Sequence, residues 1–241
     1  MAIEALYLQY LKRAIERTRG AQGRRLQGLL LAYPDLLVSR ATLGRILGEE
    51  VLEGAIERAD AAETWKFHVG TVADPMFDSI DILSRLGVDS TVIDVARLRG
   101  VERIVDLNEP LPADLRGRFD LVVDTGTCEH CFNVAQAFVN ACEALAAGGI
   151  LVHAAPLTRM NHGFWNFSPT LYPDFFGDNG FELQLLTGVE GTVKDGFRTF
   201  AVEAFRRFEA PADAALYVIA RRNEVREIRW PVQRKYRGVI S

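Results

Sequence analysis

The feature that most constrains this chain is the form of its apolar runs: they are short, nearly continuous rather than alternating, and set apart by helix-like stretches. Such runs suit strands buried on both faces, as in a parallel sheet with helices packed above and below. They fall at Leu26–Tyr33, Thr91–Val95, Arg103–Leu107, Phe119–Asp124 and Gly149–Ala154, with helical patterns at Arg40–Leu47, Asp78–Leu86 and Asn133–Ala147. Strands alternating with helices predict an α/β sheet with right-handed crossovers and ligands at the carboxyl ends of its strands. A short helix at Pro169–Asn179, capped by a left-handed Gly180, and two later β-rich runs, Phe181–Leu186 and Ala214–Ala220, predict that the mostly parallel sheet ends in a C-terminal antiparallel hairpin.

A length of 241 residues, 49% of them hydrophobic, supplies one such domain with a small appendage. Residues 25–222 form that domain. Before it, Ile3, Leu6, Tyr7, Tyr10, Leu11, Ala14 and Ile15 recur at helical spacing, so residues 1–24 read as an amphipathic helix. Its stripe is covered either by the domain or by a second copy, which makes a homodimer through this helix one expectation. Residues 48–73 read as an acidic, helix-prone insertion containing Trp65, Phe67 and His68, a lid or an interface. From Arg221 the chain carries seven basic and two acidic residues, and the basic tail 223–241 reads as solvated rather than as an anion-binding arm.

Glu4 inside the first apolar run argues against a secretory signal, and no apolar stretch approaches the roughly 20 residues of a spanning helix. A soluble, cytoplasmic protein with no membrane partner is therefore expected. Cys128, Cys131 and Cys142 are too few and too crowded for a disulfide framework, which suits a reducing compartment. A net charge of -4 makes nucleic acid an unfavourable partner.

At the strand ends, a side chain reaches a nucleotide while its backbone stays in the sheet. Asp94 closes the second strand, where a carboxylate accepts hydrogen bonds from both ribose hydroxyls, or else caps a helix or a turn. Asp106 and Leu107 close the third, offering a carboxylate for an adenine amino group and an apolar side chain for the base, although Asp-Leu-Asn-Glu-Pro is also an ordinary turn. Asp124 ends FDLVVD, and Gly126 just beyond it permits close backbone approach.

The ordered set VIDVA, IVDLNEPLP, FDLVVDTGTCEH and ALAAGGILVHAAP resembles the central block of class I S-adenosylmethionine (SAM)-dependent methyltransferases, over roughly residues 90 to 185. The resemblance implies a Rossmann-like three-layer sandwich, SAM as cofactor, and methyl transfer to a hydroxyl or amine of a small molecule or glycan. NHGFWNFSPTLYPDFF resembles a subgroup with a His-Gly-Phe loop and a Phe-Ser-Pro helix start after the fifth strand, which implies a loop over the donor pocket and an acceptor site beside it. The chain departs from the family at its first strand, where Tyr33-Pro34-Asp35 stands in place of the glycine-rich turn. Tyr33 and Asp35, with Ser39, are then the expected substitutes in cofactor binding. A second departure is the interval from Asp94 to Asp106, too short for a full crossover helix.

Methyl transfer from a sulfonium needs alignment more than covalent help, and a base only for a protonated acceptor. His162 on the loop after the fifth strand is the candidate base, with Glu129 and His130 after the fourth strand as further catalytic candidates. Phe164, Trp165 and Tyr172 are candidate substrate contacts, the alternative being that aromatics here anchor the next helix. Cys128-x-His130-Cys131 lacks a second pair of ligands, so no metal is expected. Competing readings are an inactive scaffold of the same fold, a nucleotide-dependent oxidoreductase and an RNA-modifying enzyme guided by the basic tail.

Overall fold

The computed structural model describes residues 2–70 and 75–237. Met1, the end of the expected insertion (71–73) and the end of the expected tail (238–241) lie outside the described residues. The chain opens with β1 (Ala2–Glu4), α1 (Ala5–Gln22), β2 (Leu26–Leu31) and β3 (Asp35–Leu37). Four helices follow: α2 (Arg40–Leu47), α3 (Glu49–Leu52), α4 (Ala61–Val69) and α5 (Ser79–Arg85). Next come β4 (Val88–Asp94), β5 (Arg103–Ile104), β6 (Phe119–Thr125), α6 (Val134–Glu143) and β7 (Leu145–Pro156). The last elements are α7 (Leu171–Asp178), β8 (Phe181–Thr192), β9 (Gly196–Phe200) and β10 (Ala215–Arg222).

Eight strands form one sheet in the order β5-β4-β2-β6-β7-β10-β8-β9. The five from β5 to β7 are parallel, and β10 runs antiparallel to both β7 and β8. This is a Rossmann-like α/β sheet, mostly parallel, with antiparallel strands at its C-terminal edge. β8 and β10 do pair, but the tight hairpin is β8 with β9, a strand the sequence reading missed.

Side chains alternate across each strand, so each run feeds two cores. Leu29 and Leu31 of β2 pack with Phe138 of α6 and Phe175 of α7, whereas Leu26 and Leu30 pack with Leu8 and Leu11 of α1 and Ile82 of α5. α1 is thus one layer of the sandwich. Tyr7 and Tyr10 meet the Tyr217 ring edge-on, at 5.4 and 6.2 Å. The expectation of a dimer through this helix loses its basis, because the chain's own sheet already covers the stripe.

Two flanking segments are held against the domain. In the expected insertion, Trp65 is buried against Leu37 and Met76. The tail is mostly exposed over its described residues, yet it is tied down. The Asn179 side chain bonds both backbone groups of Arg229, and Arg237 reaches Asp178 at 2.8 Å, so the tail is strapped along α7. As the short interval requires, no helix separates β4 from β5. No helix among the described residues is long and apolar enough to cross a membrane.

Candidate active site

The parallel topology brings the carboxyl ends of β2, β4, β5 and β6 to one edge. Asp94, the last residue of β4, is half-buried; it accepts the Ala96 amide at 3.3 Å and pairs with no cation among the described residues. Beside it Val95 and Leu98 are 71% and 77% exposed, an unusual apolar surface next to an uncommitted carboxylate. Asp106 is exposed and holds Asn108 through its backbone amide and side chain, at 2.9 and 2.7 Å. Leu107 does not face outward as expected. It is buried in the core, and its carbonyl accepts the Asn140 side chain of α6.

Asp124 is fully buried. One oxygen accepts the amides of Gly126 and Thr127, at 3.1 and 2.7 Å, and the other meets His153 Nδ1 at 2.8 Å. His153 Nε2 in turn meets the Tyr172 hydroxyl at 3.1 Å. Burial alone would raise the Asp124 carboxyl, but His153 and the hydrogen bonds around it hold it below its usual range. Its carboxylate therefore shapes the turn from below and does not reach a ligand. Tyr172 likewise lies in the core, 0% exposed, so the expected substrate contact there gives way to a buried hydrogen bond.

After β2 the chain turns through Ala32 at φ +62°, a left-handed conformation usually left to glycine. Tyr33 and Asp35 do not stand ready for a ligand. The Tyr33 hydroxyl donates to Asp78, while Asp35 takes Arg58, Arg99 at 3.2 Å and His68 at 2.9 Å. Arg58 and Arg99 also share Asp60, and the Arg99 guanidinium sits 5.5 Å from the Tyr33 ring centre. Burial would raise the Asp35 carboxyl, but hydrogen bonds from His68 and Arg58 hold it down; burial and Asp78 push the Tyr33 hydroxyl up. The turn is stapled to residues 58–68 and to the loop after β4. Sequence spacing gives no hint of these long-range partners.

On the other side of Gly126 lies a cavity of about 230 Å³ beneath the start of α1, lined by Glu4, Tyr7, His68, Glu129, His130, Arg159, His162 and Tyr217 among others. Glu4 caps α1 through the Tyr7 amide, and burial pushes its carboxyl up to about 7. Glu129 and His130 lie on a single turn of 3-10 helix, Cys128–His130. His162 Nε2 stands 3.5 Å from Glu129 Oε1, with its ring 5.3 Å from that of His130. Partial desolvation by the neighbouring wall holds His130 below its usual value, although its side chain still reaches solvent. The structure thus brings the three catalytic candidates together. The sequence reading missed Glu4, Tyr7, Arg159 and Tyr217 as cavity residues; the one signal was a charged Glu4 inside an apolar run.

Phe164 and Trp165 are 67% and 41% exposed, and the Phe132 ring meets them at 5.9 and 6.3 Å. The indole of Trp165 donates to the carbonyls of Cys131 and Phe132, so this aromatic group is fixed to the loop after β6. Burial pushes all three thiols up, Cys131 to about 11, which keeps them protonated and poor nucleophiles.

No family model matches the chain, and no curated protein matches it. Among solved structures it is similar to the N-methyltransferase NodS from Bradyrhizobium japonicum in complex with S-adenosylhomocysteine (16% identity, TM-score 0.47, covering 90% of this chain and 88% of that one). It is also similar to the 1,6-didemethyltoxoflavin-N1-methyltransferase of Burkholderia thailandensis (13%, TM-score 0.45, 88% and 77%) and to TehB of Haemophilus influenzae (12%, TM-score 0.46, 86% and 61%).

Proposed function

We propose that this chain is a SAM-dependent methyltransferase acting on a hydroxyl or amine of a small molecule or glycan. The observation that supports it best is the uncommitted Asp94 carboxylate beside the exposed Val95, with a polar cavity opening across Gly126. SAM, when bound, supplies a methyl group on a sulfonium. Asp94 is the group for its ribose hydroxyls and Asp106 for its adenine amino group, with Val95 taking the place next to the base that buried Leu107 cannot fill. The acceptor enters the cavity under α1, and Glu129, His130 and His162 on its wall act on its nucleophilic atom. Holding that atom in line with the methyl carbon is the main contribution asked of the protein.

Calorimetric titration with SAM and S-adenosylhomocysteine tests this reading, followed by a mass-spectrometric screen of hydroxyl and amine acceptors for gain of a methyl group. Micromolar binding and one methylated acceptor are expected. The stapled turn at Tyr33 and Asp35 favours a second reading, a non-catalytic scaffold of the same fold; folded protein that binds neither compound would support it.

A further inference from the structure

Glu129 and Glu4 on the cavity wall each keep one carboxyl oxygen without a hydrogen-bond partner among the described residues, and Glu129 is the one that faces two imidazoles. Its side chain is 1% exposed; Oε1 faces His162 Nε2 at 3.5 Å, and Oε2 is buried without a hydrogen-bond partner among the described residues. A buried carboxylate oxygen with nothing to bond is costly, and in native proteins it points to a missing partner. Glu129, His130 and His162 each offer one ligand atom, and these atoms all lie within 4.8 Å of one another. An ion binds carboxylate oxygen and imidazole nitrogen at roughly 2.0–2.2 Å, so small turns of the two exposed imidazoles close the set around one centre.

The backbone holds these donors in place. Glu129 and His130 share the 3-10 turn, and the loop carrying His162 is tied to it by the Phe164 amide, which donates to the Glu129 carbonyl at 2.9 Å. That approach requires glycine at two points. A Cβ at Gly163 would lie 2.8 Å from the Glu129 carbonyl oxygen, and one at Gly126 would lie 2.7 Å from Glu129 Oε1. Asp124, Cys128 and His153 form another three-donor group among the described residues, but they are fully enclosed and Asp124 and His153 are already hydrogen-bonded on both sides. The Glu129 group instead has one buried carboxyl group and two exposed imidazoles opening on a cavity.

We propose that Glu129, His130 and His162 bind one divalent transition-metal cation of the zinc or manganese type at the wall of the acceptor cavity. Two imidazoles and one carboxylate leave coordination positions open for an oxygen ligand. If the methyl-transfer reading holds, on which this clause rests, that ligand is an acceptor hydroxyl. The hydroxyl, made more acidic by the ion, gives its proton to water; its oxygen forms the new O–C bond as the C–S bond breaks and returns its electron pair to sulfur. His162 is then a ligand and not the base, because its lone pair is on the metal.

Chelator-dialysed protein is titrated with Co²⁺, following visible ligand-field absorption, and with Zn²⁺ and Mn²⁺ by calorimetry; S-adenosylhomocysteine affinity is measured on the same samples. One ion per chain is expected. His130→Ala and His162→Ala, both at exposed positions and both checked for folding by thermal melts, each weaken it by at least roughly tenfold, and Glu129→Gln removes it. Folded wild type without saturable binding, or binding that both histidine variants leave intact, overturns the site. S-adenosylhomocysteine binding without ion binding overturns the metal site alone, whereas ion binding without S-adenosylhomocysteine binding supports the site and overturns methyl transfer.

Discussion

The turn after β2 and the ends of β4 to β6 share one edge of the sheet, yet they use their polar groups in opposite ways. Around the turn, Tyr33, Asp35, Arg58, Asp60, His68 and Arg99 satisfy one another, and Arg58 is only 6% exposed while doing so. Across the edge, among the described residues, Asp94 has no cation, Glu129 leaves an oxygen unbonded, and Val95, Phe132 and Phe164 show apolar surface to solvent. The first region satisfies its polar groups internally, and the second is the one the proposed function assigns to the ligand. In the proposed enzyme, binding has therefore moved away from the strand where a glycine-rich turn would carry it.

That contrast is broken most forcefully at Arg58. Arg58→Ala leaves Asp35 and Asp60 short of their main partner in a partly buried setting, and it is expected to cost about 3 to 5 kcal/mol of stability. The urea midpoint reads the loss, and S-adenosylhomocysteine affinity of the folded fraction should stay near wild type; a large loss of affinity would mean that the turn takes part in binding.

Glu4 comes next. Its carboxyl is at about 7 in the folded chain against 4.5 ordinarily. The stability it contributes is fully present below pH 4.5 and is lost as pH rises through about 7, because the charged form is the one burial disfavours. Glu4→Gln keeps an acceptor for the Tyr7 amide and should stabilise the chain by up to about 3 kcal/mol well above neutrality, with the advantage gone below pH 4.5. Thermal melts across that range check it, and a pH-independent difference would contradict the buried-carboxyl account.

The smallest effect is expected at Tyr172. Tyr172→Phe removes the hydroxyl that meets His153 and should cost about 1 kcal/mol, with no change in KM for any acceptor found. A KM effect would return Tyr172 to the acceptor site.

How far the sequence discloses this molecule depends on the range of the interaction. β2, β4, β6, β7 and β10 are legible because a strand buried on both faces needs a continuous apolar run, and the places of Asp94, Asp106 and Gly126 at or just beyond strand ends are legible because the ends of those runs are. Glu129, His130 and His162 could be named, but not their convergence, which depends on how the loop after β7 folds back onto the turn after β6. The partners of Asp35 lie as far away as Arg99, and no local spacing encodes such a pairing. Leu107 and Tyr172 were misread for a related reason: a short loop or helix start gives no period from which to tell the inward face from the outward one.

The division of labour between the two regions is tested most directly by S-adenosylhomocysteine calorimetry on two matched variants, Asp94→Asn and Asp35→Asn. The account predicts that Asp94→Asn weakens binding by at least about tenfold, through loss of charge-assisted hydrogen bonds to the ribose, while Asp35→Asn lowers the thermal midpoint and changes affinity by less than about twofold. The reverse result, with affinity lost at Asp35 and kept at Asp94, would contradict it.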